Sequence, residues 1–457
     1  MFATHRHRAR AAAVAIGTLL ALGTVLPASA QADPPTVPTA SAGIAQAAQD
    51  AGTAPAPVQQ VANPTLAPDD LVSTGLVTRE AVFTAGVEGG WASVERYQDA
   101  NPGFQAEVYP ADGRGDQVGQ TALFFGSAQP HSSRFLLYNA PAPAAATGSP
   151  VLLVHGANQT ASQAWANPNA GGNFGCGVVF CPSTGLMQHL VDAGHPVYAI
   201  GFPHRNGDGY YWAEQIGDAV EVIRAKTGAA QVDVIGWSKG AFNARMYVSS
   251  VTQPWGSPYS GNVSRLILLG NPSMGFDWGY RHGISHDGAV FPECGGTLNA
   301  PAAHTQMTCY GWRFSHPELS YASPAFPGSG QMLARWDGRY PLPYAEPDWY
   351  TTYYGGTGFY SRGVGIQAAI DEQSLVQTIV DAGTPPELPV YLLCGTAPTM
   401  AGLHNEHTGP SDGAVFVLSC ASEQGIANHA ATATPFLNHL QLGWSPTSMA
   451  QVTAWLN

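Results

Sequence analysis

Ser238, in the segment Gly236–Gly240, is the residue with the clearest capacity for chemistry in this sequence. The segment has the pattern G-x-S-x-G and lies between a short apolar, β-branched run and a stretch compatible with a helix. On such a strand-to-helix turn the serine is held exposed in a strained backbone conformation, and the glycines keep Cβ atoms out of the crossing of strand and helix. The pattern therefore predicts a nucleophilic serine.

A serine hydroxyl needs a base that takes its proton and a carboxylate that orients and stabilises this base. Asp412 follows a predicted strand that ends near Cys394, and His439 lies just before the last predicted helix. The chain order serine, aspartate, histidine is the one expected for a nucleophile on this kind of turn. Two alternatives stay open, because His429 could replace His439 as the base and Asp412 could serve only to form a turn. His155 is expected to support its loop.

Strand and helix patterns alternate on both sides of the serine. The predicted helix over 211–227 carries an apolar stripe with spacing i, i+3, i+4, i+7. The predicted strands are 104–109, 134–138, 151–154, 196–200, 232–235, 263–269, 389–394 and 414–419. Further helical patterns occupy 186–191, 239–246, 362–382 and 445–456, the last with Ser445 as its cap and Pro446 in its first turn. The alternation predicts an α/β domain with a mainly parallel sheet, whose loops bring distant side chains to one edge.

The region 271–387 interrupts this alternation and is rich in Trp, Tyr, His, Gly and Pro. It is predicted to be either a cap or lid over the site or a loop-rich structural excursion. Two histidine groups, 404–407 and the pair His282 and His286, have spacings that a metal could use. Neither has the H-E-x-x-H pattern, and solvated loops are expected there. The sequence therefore predicts no metal and no cofactor.

The N-terminal segment has the pattern of a secretory signal over residues 1–30, with arginines, an apolar run and a small-x-small cleavage motif. Residues 31–68 are Ala- and Pro-rich and are expected to be a disordered linker or pro-region, which leaves 69–457 as the catalytic domain. No later apolar run is long enough for a membrane anchor, so a soluble, exported monomer is expected. The net charge of −13 without a basic cluster argues against nucleic acid as a partner.

Six cysteines fit an oxidising compartment, and no C-x-x-C spacing indicates a metal site. Six cysteines allow fifteen pairings, and the sequence alone does not choose among them. Bridges within local segments are favoured here: Cys176 with Cys181, Cys294 with Cys309, and Cys394 with Cys420.

Over residues 104–457 the sequence resembles the α/β-hydrolase superfamily, and within it the secreted bacterial lipases and esterases. The resemblance rests on His155–Gly156 after an early predicted strand, Gly236–Gly240, Asp412–Gly413 and His439–Leu440. It implies an α/β-hydrolase fold, with a mainly parallel sheet, helices on both of its faces and a large aromatic-rich cap or lid. It also implies a secreted enzyme that cleaves carboxylic esters or lipids, possibly polymeric, through an acyl-enzyme and without a cofactor.

By the same resemblance, the backbone N–H groups of Ala157 and Lys239 form an oxyanion hole, in which each donor is worth about 3 kcal/mol. Lys239 and Trp237 depart from the residues common at these positions in lipases, which weakens assignment to the long-chain lipases. An extracellular polyester depolymerase of the polyhydroxyalkanoate type is therefore an alternative. A non-catalytic secreted binding protein and, less strongly favoured, a peptidase are the other candidates.

Overall fold

The buried apolar runs of the chain form a central sheet. The structure is a computed structural model that describes residues 76–84, 87–109, 115–170, 175–281, 325–342, 353–354, 356–357, 362–363, 365–401 and 405–457. All these residues belong to one unit of the chain, Pro55–Asn457. The strands are β1 (Val77–Phe83), β2 (Ser93–Asp99), β3 (Arg134–Asn139), β4 (Val151–Val154), β5 (Val197–Gly201), β6 (Val232–Trp237), β7 (Val263–Leu269), β8 (Gly356–Thr357), β9 (Arg362–Gly363), β10 (Val390–Leu393) and β11 (His429–Ala433).

Nine of these strands form one sheet in the order β1-β2-β3-β5-β4-β6-β7-β10-β11, and β8 pairs with β9 in a second sheet of two strands. Strands β1, β2 and β3 are antiparallel to their neighbours, whereas β5, β4, β6, β7, β10 and β11 are mutually parallel. The central strand β4 is a short, continuous apolar run that is buried throughout, as expected for a strand covered on both faces. The prediction of a mainly parallel sheet is therefore confirmed.

Helices cover both faces of this sheet. The α-helices are α1 (Gly119–Phe125), α2 (Leu186–Asp192), α3 (Gly209–Thr227), α4 (Lys239–Val248), α5 (Trp278–Arg281), α6 (Pro327–Gly330), α7 (Ile366–Gln373), α8 (Val376–Ala382), α9 (Val417–Cys420) and α10 (Pro446–Leu456). Alternate residues of β4 enter two different cores. Leu152 packs in the core that contains α3 and α4, and Leu153 in the core that contains α2 and α10. The strand period of two thus separates the two layers of helices.

Helix α3 illustrates how local sequence determines an element. The predicted stripe is fully buried against the sheet and consists of Ile216, Ala219, Val220 and Ile223. Asp208 caps the N-terminus, because its Oδ1 accepts a hydrogen bond of 2.8 Å from the N–H of Tyr210. Gly228 ends the helix with φ +73°, a left-handed conformation that suits glycine. Helix α10 likewise begins as predicted, with the Ser445 hydroxyl accepting from the N–H of Ser448.

Two predicted strands were wrong. The segment 104–109 is irregular, because its side chains rather than a strand ladder anchor it. Glu107 Oε1 accepts a hydrogen bond of 2.7 Å from the N–H of Asp208, and the Tyr109 hydroxyl donates to the Pro130 carbonyl. The strands β1 and β2 occupy the outer positions of the sheet, and the sequence patterns did not predict them.

The second wrong strand, 414–419, contains a turn followed by the helix α9. Asp412 Oδ1 accepts hydrogen bonds from the N–H groups of Ala414 and Val415 and so turns the chain away from a ladder. The edge place belongs to β11, whose small residues His429–Ala433 gave no strand signal.

The predicted helix 362–382 is divided into β9, α7 and α8. Ser374 is extended, at φ −65° and ψ 133°, and ends α7, while its hydroxyl donates to the Leu333 carbonyl. The rest of the predicted insertion is described only in part, and its interpretation as a cap or lid stays a prediction. The expected bridge between Cys294 and Cys309 lies outside the described residues, as do His282 and His286.

Two disulfide bonds join the pairs expected from local segments. Cys176 bonds to Cys181 with an S–S distance of 2.08 Å, and Cys394 bonds to Cys420 at 2.07 Å. The second bond connects the residue after β10 with the last residue of α9, so it closes the segment that contains Asp412.

Replacing Cys394 and Cys420 together by serine should lower the free energy of unfolding by about 3 to 4 kcal/mol, because the bond closes a long loop of the unfolded chain. The matched control replaces Cys176 and Cys181, which are only 5 residues apart, and should lose about 2 kcal/mol. Denaturant titration measures both values. A larger loss in the control would contradict the loop-closure argument.

Candidate active site

The candidate nucleophile Ser238 lies between the last residue of β6 and the first residue of α4. Its backbone has φ +54° and ψ −124°, a conformation that non-glycine residues rarely adopt. Its N–H donates a hydrogen bond of 2.8 Å to the Leu269 carbonyl at the end of β7. The side chain is half-buried, at the carboxyl edge of the parallel strands. The structure thus holds the serine in the strained turn that the pattern predicts.

The glycines on either side of the serine are required by close backbone contacts. A Cβ on Gly236 would lie 2.5 Å from the Cα of Ala241 in helix α4. A Cβ on Gly240 would overlap the carbonyl oxygens of Val154 and His155, which belong to rigid backbone. Only glycine therefore lets α4 cross this close to β4 and β6.

The loop after β4 contacts the serine directly. A Cβ on Gly156 would lie 3.0 Å from the Cβ of Ser238, so the backbone of this loop passes beside the hydroxyl. His155 supports the loop, as expected, because its Nδ1 donates to the Gly156 carbonyl over 2.8 Å and its ring packs edge-on against Phe202 and Trp212. Burial lowers the pKa of His155 to about 4, so the ring is neutral at ordinary pH.

Asp412 and His439 are in direct contact. The Oδ2 atom of Asp412 and the Nδ1 atom of His439 are 2.7 Å apart. The backbone N–H of His439 also donates a hydrogen bond of 2.8 Å to the backbone carbonyl of Asp412. The other carboxylate oxygen accepts from the N–H groups of Ala414 and Val415. Asp412 is 1% exposed and His439 7%. Both oxygens of this buried carboxylate are therefore satisfied, and the imidazole is fixed in one orientation.

The imidazole of His439 lies close to the serine turn. A Cβ on Gly270 would be 3.0 Å from its Nδ1 and Cε1 atoms, and Gly270 follows the residue whose carbonyl binds the Ser238 N–H. Trp237, directly before the serine, donates from its indole Nε1 to the His439 carbonyl over 3.0 Å. The bulky residue noted in the sequence thus ties the histidine loop to the turn.

The alternative base, His429, lies at the other end of the sheet. It begins β11 opposite Val390, the first residue of the parallel strand β10. Its Nε2 is 2.7 Å from the Thr432 hydroxyl, and its Nδ1 is 3.1 Å from Glu423. Ser238 follows the carboxyl end of a parallel strand, whereas His429 lies at the amino end of one. The two residues are therefore at opposite edges of the sheet.

The Lys239 side chain is a feature that sequence reasoning did not anticipate. It is fully buried, and its ammonium lies 3.1 Å from the centroid of the Trp212 ring. Burial lowers its pKa well below the ordinary value, opposed by the nearby charges of Glu107 and Asp208. Burial also raises the pKa of Glu107 to about 8. The Lys239 side chain thus points into the protein. The backbone N–H of the same residue lies elsewhere, at the start of α4.

The histidine segment 404–407 is only in part the solvated loop that was expected, since His407 is exposed. Its residue Glu406 is 1% exposed and lies 3.4 Å from the Arg281 guanidinium. Arg281 also binds Asp277 over 2.8 Å, so the segment joins a buried network of charges. The prediction of a solvated loop was therefore wrong for Glu406, and His404 lies outside the described residues.

Gly240→Ala should lower the free energy of unfolding by about 3 kcal/mol or more, because the new methyl group meets backbone oxygens that cannot move independently. Gly338→Ala is the matched control, since Gly338 is exposed with nothing within 4 Å of an added Cβ. The control should stay within about 0.5 kcal/mol of the parent in the same denaturant titration. Equal stability of the two variants would show that the backbones of α4 and β4 are not in close contact at Gly240.

Comparisons with known proteins give similarity in structure alone. No family model matches the chain, and no curated protein matches it. A lipase of Bacillus licheniformis, BlEst2 in its mature form, shares 13% identity over 71% of this chain and 98% of its own, with a TM-score of 0.40. A carboxyl esterase of Bacillus coagulans shares 12% over 71% of this chain and 95% of its own, with a TM-score of 0.34.

An esterase of a Rhodococcus species is similar to the same extent, with 16% identity over 71% of this chain and 94% of its own and a TM-score of 0.31. The strand order within the sheet, the helices on both of its faces and the strained turn at Ser238 are features of this chain itself. With these features of its own the chain has the α/β-hydrolase fold.

Proposed function

We propose that this protein is a secreted serine hydrolase that cleaves carboxylic esters through an acyl-enzyme. The observation that carries the proposal is the buried hydrogen bond between His439 and Asp412 beside a half-buried serine in a strained turn. A histidine oriented by a carboxylate, on a loop that Trp237 ties to the turn of such a serine, has the chemistry of a general base for a hydroxyl nucleophile.

The proton transfers follow from the orientation of the imidazole. Because Nδ1 of His439 is bonded to the Asp412 carboxylate, Nε2 is the nitrogen that takes the proton from Ser238. The serine oxygen attacks the ester carbonyl, and His439 then passes the proton to the leaving alcohol. A water molecule, activated in the same way, hydrolyses the acyl-enzyme and restores the serine. Asp412 remains charged and stabilises the imidazolium that forms in each step.

The negative charge on the carbonyl oxygen is proposed to be bound by the N–H groups of Ala157 and Lys239. Lys239 is the first residue of α4, where backbone N–H groups have no partner within the helix and the helix dipole is positive. The loop that contains Ala157 is kept near the serine by the close contact at Gly156. Each donor is expected to lower the barrier by about 3 kcal/mol.

Export and substrate are part of the same proposal. Two disulfide bonds fit an oxidising compartment, and the arginine-flanked apolar run at the N-terminus, which lies outside the described residues, has the pattern of a secretory signal. Within the part of the chain that the structure describes, no helix combines the length and hydrophobicity needed to cross a bilayer. An ester or lipid, possibly polymeric, is the proposed substrate class, acted on by a monomer without a cofactor.

Ser238→Ala should reduce hydrolysis of a short p-nitrophenyl ester by about 10⁴-fold or more, because no other group supplies the attacking oxygen. A fluorophosphonate probe should label the parent protein and fail to label this variant. Ser149→Ala, at an exposed position, is the matched control and should keep both activity and labelling. Unchanged turnover in the Ser238 variant, with an unchanged unfolding transition, would reject the proposed nucleophile.

Asp412→Asn should lower kcat by about 10⁴-fold with little change in KM, because an amide no longer favours a proton on Nδ1 of the histidine. Steady-state kinetics measure both constants. His439→Ala should be similarly inactive, whereas His429→Ala should retain the parent activity because His429 lies at the amino end of the strands. Loss of activity in the His429 variant alone would exchange the roles of the two histidines.

A further inference from the structure

A group of three buried carboxylates lies apart from the candidate active site. Asp99 ends strand β2, and Glu214 and Asp218 are one turn apart on helix α3. One oxygen atom of each lies within 4.8 Å of the other two. The three residues are only 3%, 6% and 4% exposed, and no lysine or arginine in the described part of the chain forms an ion pair with any of them. Buried charges of one sign need a compensating cation or protons.

The hydrogen bonds of the group leave one buried oxygen without a partner. Asp99 Oδ1 accepts from the N–H of Asn101, and Glu214 Oε2 accepts from the N–H of Ser257, each over 2.8 Å. Asp218 shares a side-chain hydrogen bond with Asp99, but its Oδ2 atom is buried and has no hydrogen-bond partner. An orphaned carboxylate oxygen of this kind is costly unless something binds it.

The orphaned side chain borders a partly open cavity that could hold a ligand. Asp218 and Glu214 both line a cavity of about 280 Å³. The other charged groups at this cavity are Glu221 and Arg224, and the guanidinium binds both Glu221 oxygens, over 2.7 and 2.8 Å. The Tyr247 hydroxyl donates to Asn262 Oδ1 over 2.8 Å. The nearest cationic side chain therefore compensates Glu221 and leaves the three carboxylates uncompensated.

We propose that Asp99, Glu214 and Asp218 bind a hard divalent cation of the size of Ca²⁺. Ca²⁺ binds carboxylate oxygens at about 2.3 to 2.6 Å, so two ligands on opposite sides of one ion are about 4.6 to 5.2 Å apart. One oxygen of each residue lies within 4.8 Å of the other two, so a single ion of this size can reach all three. Mg²⁺ demands near-ideal octahedral geometry and loses its water reluctantly, so carboxylates held in fixed positions favour Ca²⁺. The cavity provides room for the water molecules that complete the coordination.

The charge of the group supports a cation in the same place. Burial, and then the charge of Asp99, raises the pKa of Asp218 well above its ordinary value. Burial also raises the pKa values of Asp99 and Glu214. Burial thus disfavours the ionised carboxylates, and a divalent cation between them stabilises them.

The ion would fasten parts of the chain that are distant in sequence. Asp99 lies at the end of an outer strand, and its neighbour Asn101 donates from Nδ2 to the Trp255 carbonyl over 3.0 Å. Glu214 binds the N–H of Ser257 in the same loop. The cation would thus join β2, α3 and this loop, and it would act on stability without entering the proposed ester hydrolysis.

The test is thermal unfolding of the purified protein at about pH 8, where ordinary carboxyl groups are ionised. After removal of metals with a chelator, about 10 mM Ca²⁺ should raise Tm by about 3 to 6 °C in a saturable manner, and Mg²⁺ should raise it less. Tb³⁺ luminescence should report the same site and be displaced by Ca²⁺. No shift with Ca²⁺ would overturn the proposal, whatever the pH dependence of Tm.

Asp218→Asn keeps the shape of the side chain and removes one negative charge. It should raise the Tm of the metal-free protein at about pH 8 and abolish both the Ca²⁺ increment and the Tb³⁺ signal. Asp192→Asn, at an exposed position, is the matched control and should keep the full increment. An undiminished Ca²⁺ increment in the Asp218 variant would place the ion elsewhere and overturn the proposal. Ester hydrolysis is not a readout here, so failure of this site leaves the proposed function untouched.

Discussion

The close crossing of helix α4 over strands β4 and β6 is the constraint on which the rest of the site depends. At Gly240 the helix backbone meets the carbonyl oxygens of Val154 and His155, and at Gly236 strand β6 meets Ala241 of the helix. This leaves Ser238 no relaxed conformation and fixes its hydroxyl at the sheet edge. The same crossing buries the Lys239 side chain over Trp212. The described part of the insertion packs against this lysine through Gly328.

Buried charge is treated in two different ways in this molecule. The carboxylate of Asp412 has a histidine and two backbone N–H groups as partners, so both of its oxygens are satisfied within the chain. The carboxylates of Asp99, Glu214 and Asp218 face one another, and one oxygen has no partner. The first arrangement is complete and suits orientation of a base, whereas the second requires protons or a cation from solution. One buried acid of this chain can therefore orient a histidine while other buried acids bear on stability.

Some features were determined by the sequence alone because their causes are local. The glycines around Ser238, the apolar stripe of α3 and the Ser-Pro start of α10 act within a few residues of the chain, and each gave a correct element. Alternation of these local patterns was enough for the mainly parallel sheet. The candidate triad residues could also be named from the sequence, although the choice between His429 and His439 could not be made there.

The tertiary structure decided what depends on contacts between distant segments. It placed β1 and β2 at the outer positions where 104–109 had been predicted, and it turned the chain at Asp412 through side-chain bonds that no periodicity reveals. It brought His439 to Asp412 and left His429 at the opposite end of the sheet. It also placed Asp99 beside α3. Sequence patterns report which face of an element is apolar, whereas the position of one polar side chain beside another is fixed only when the whole sheet has assembled.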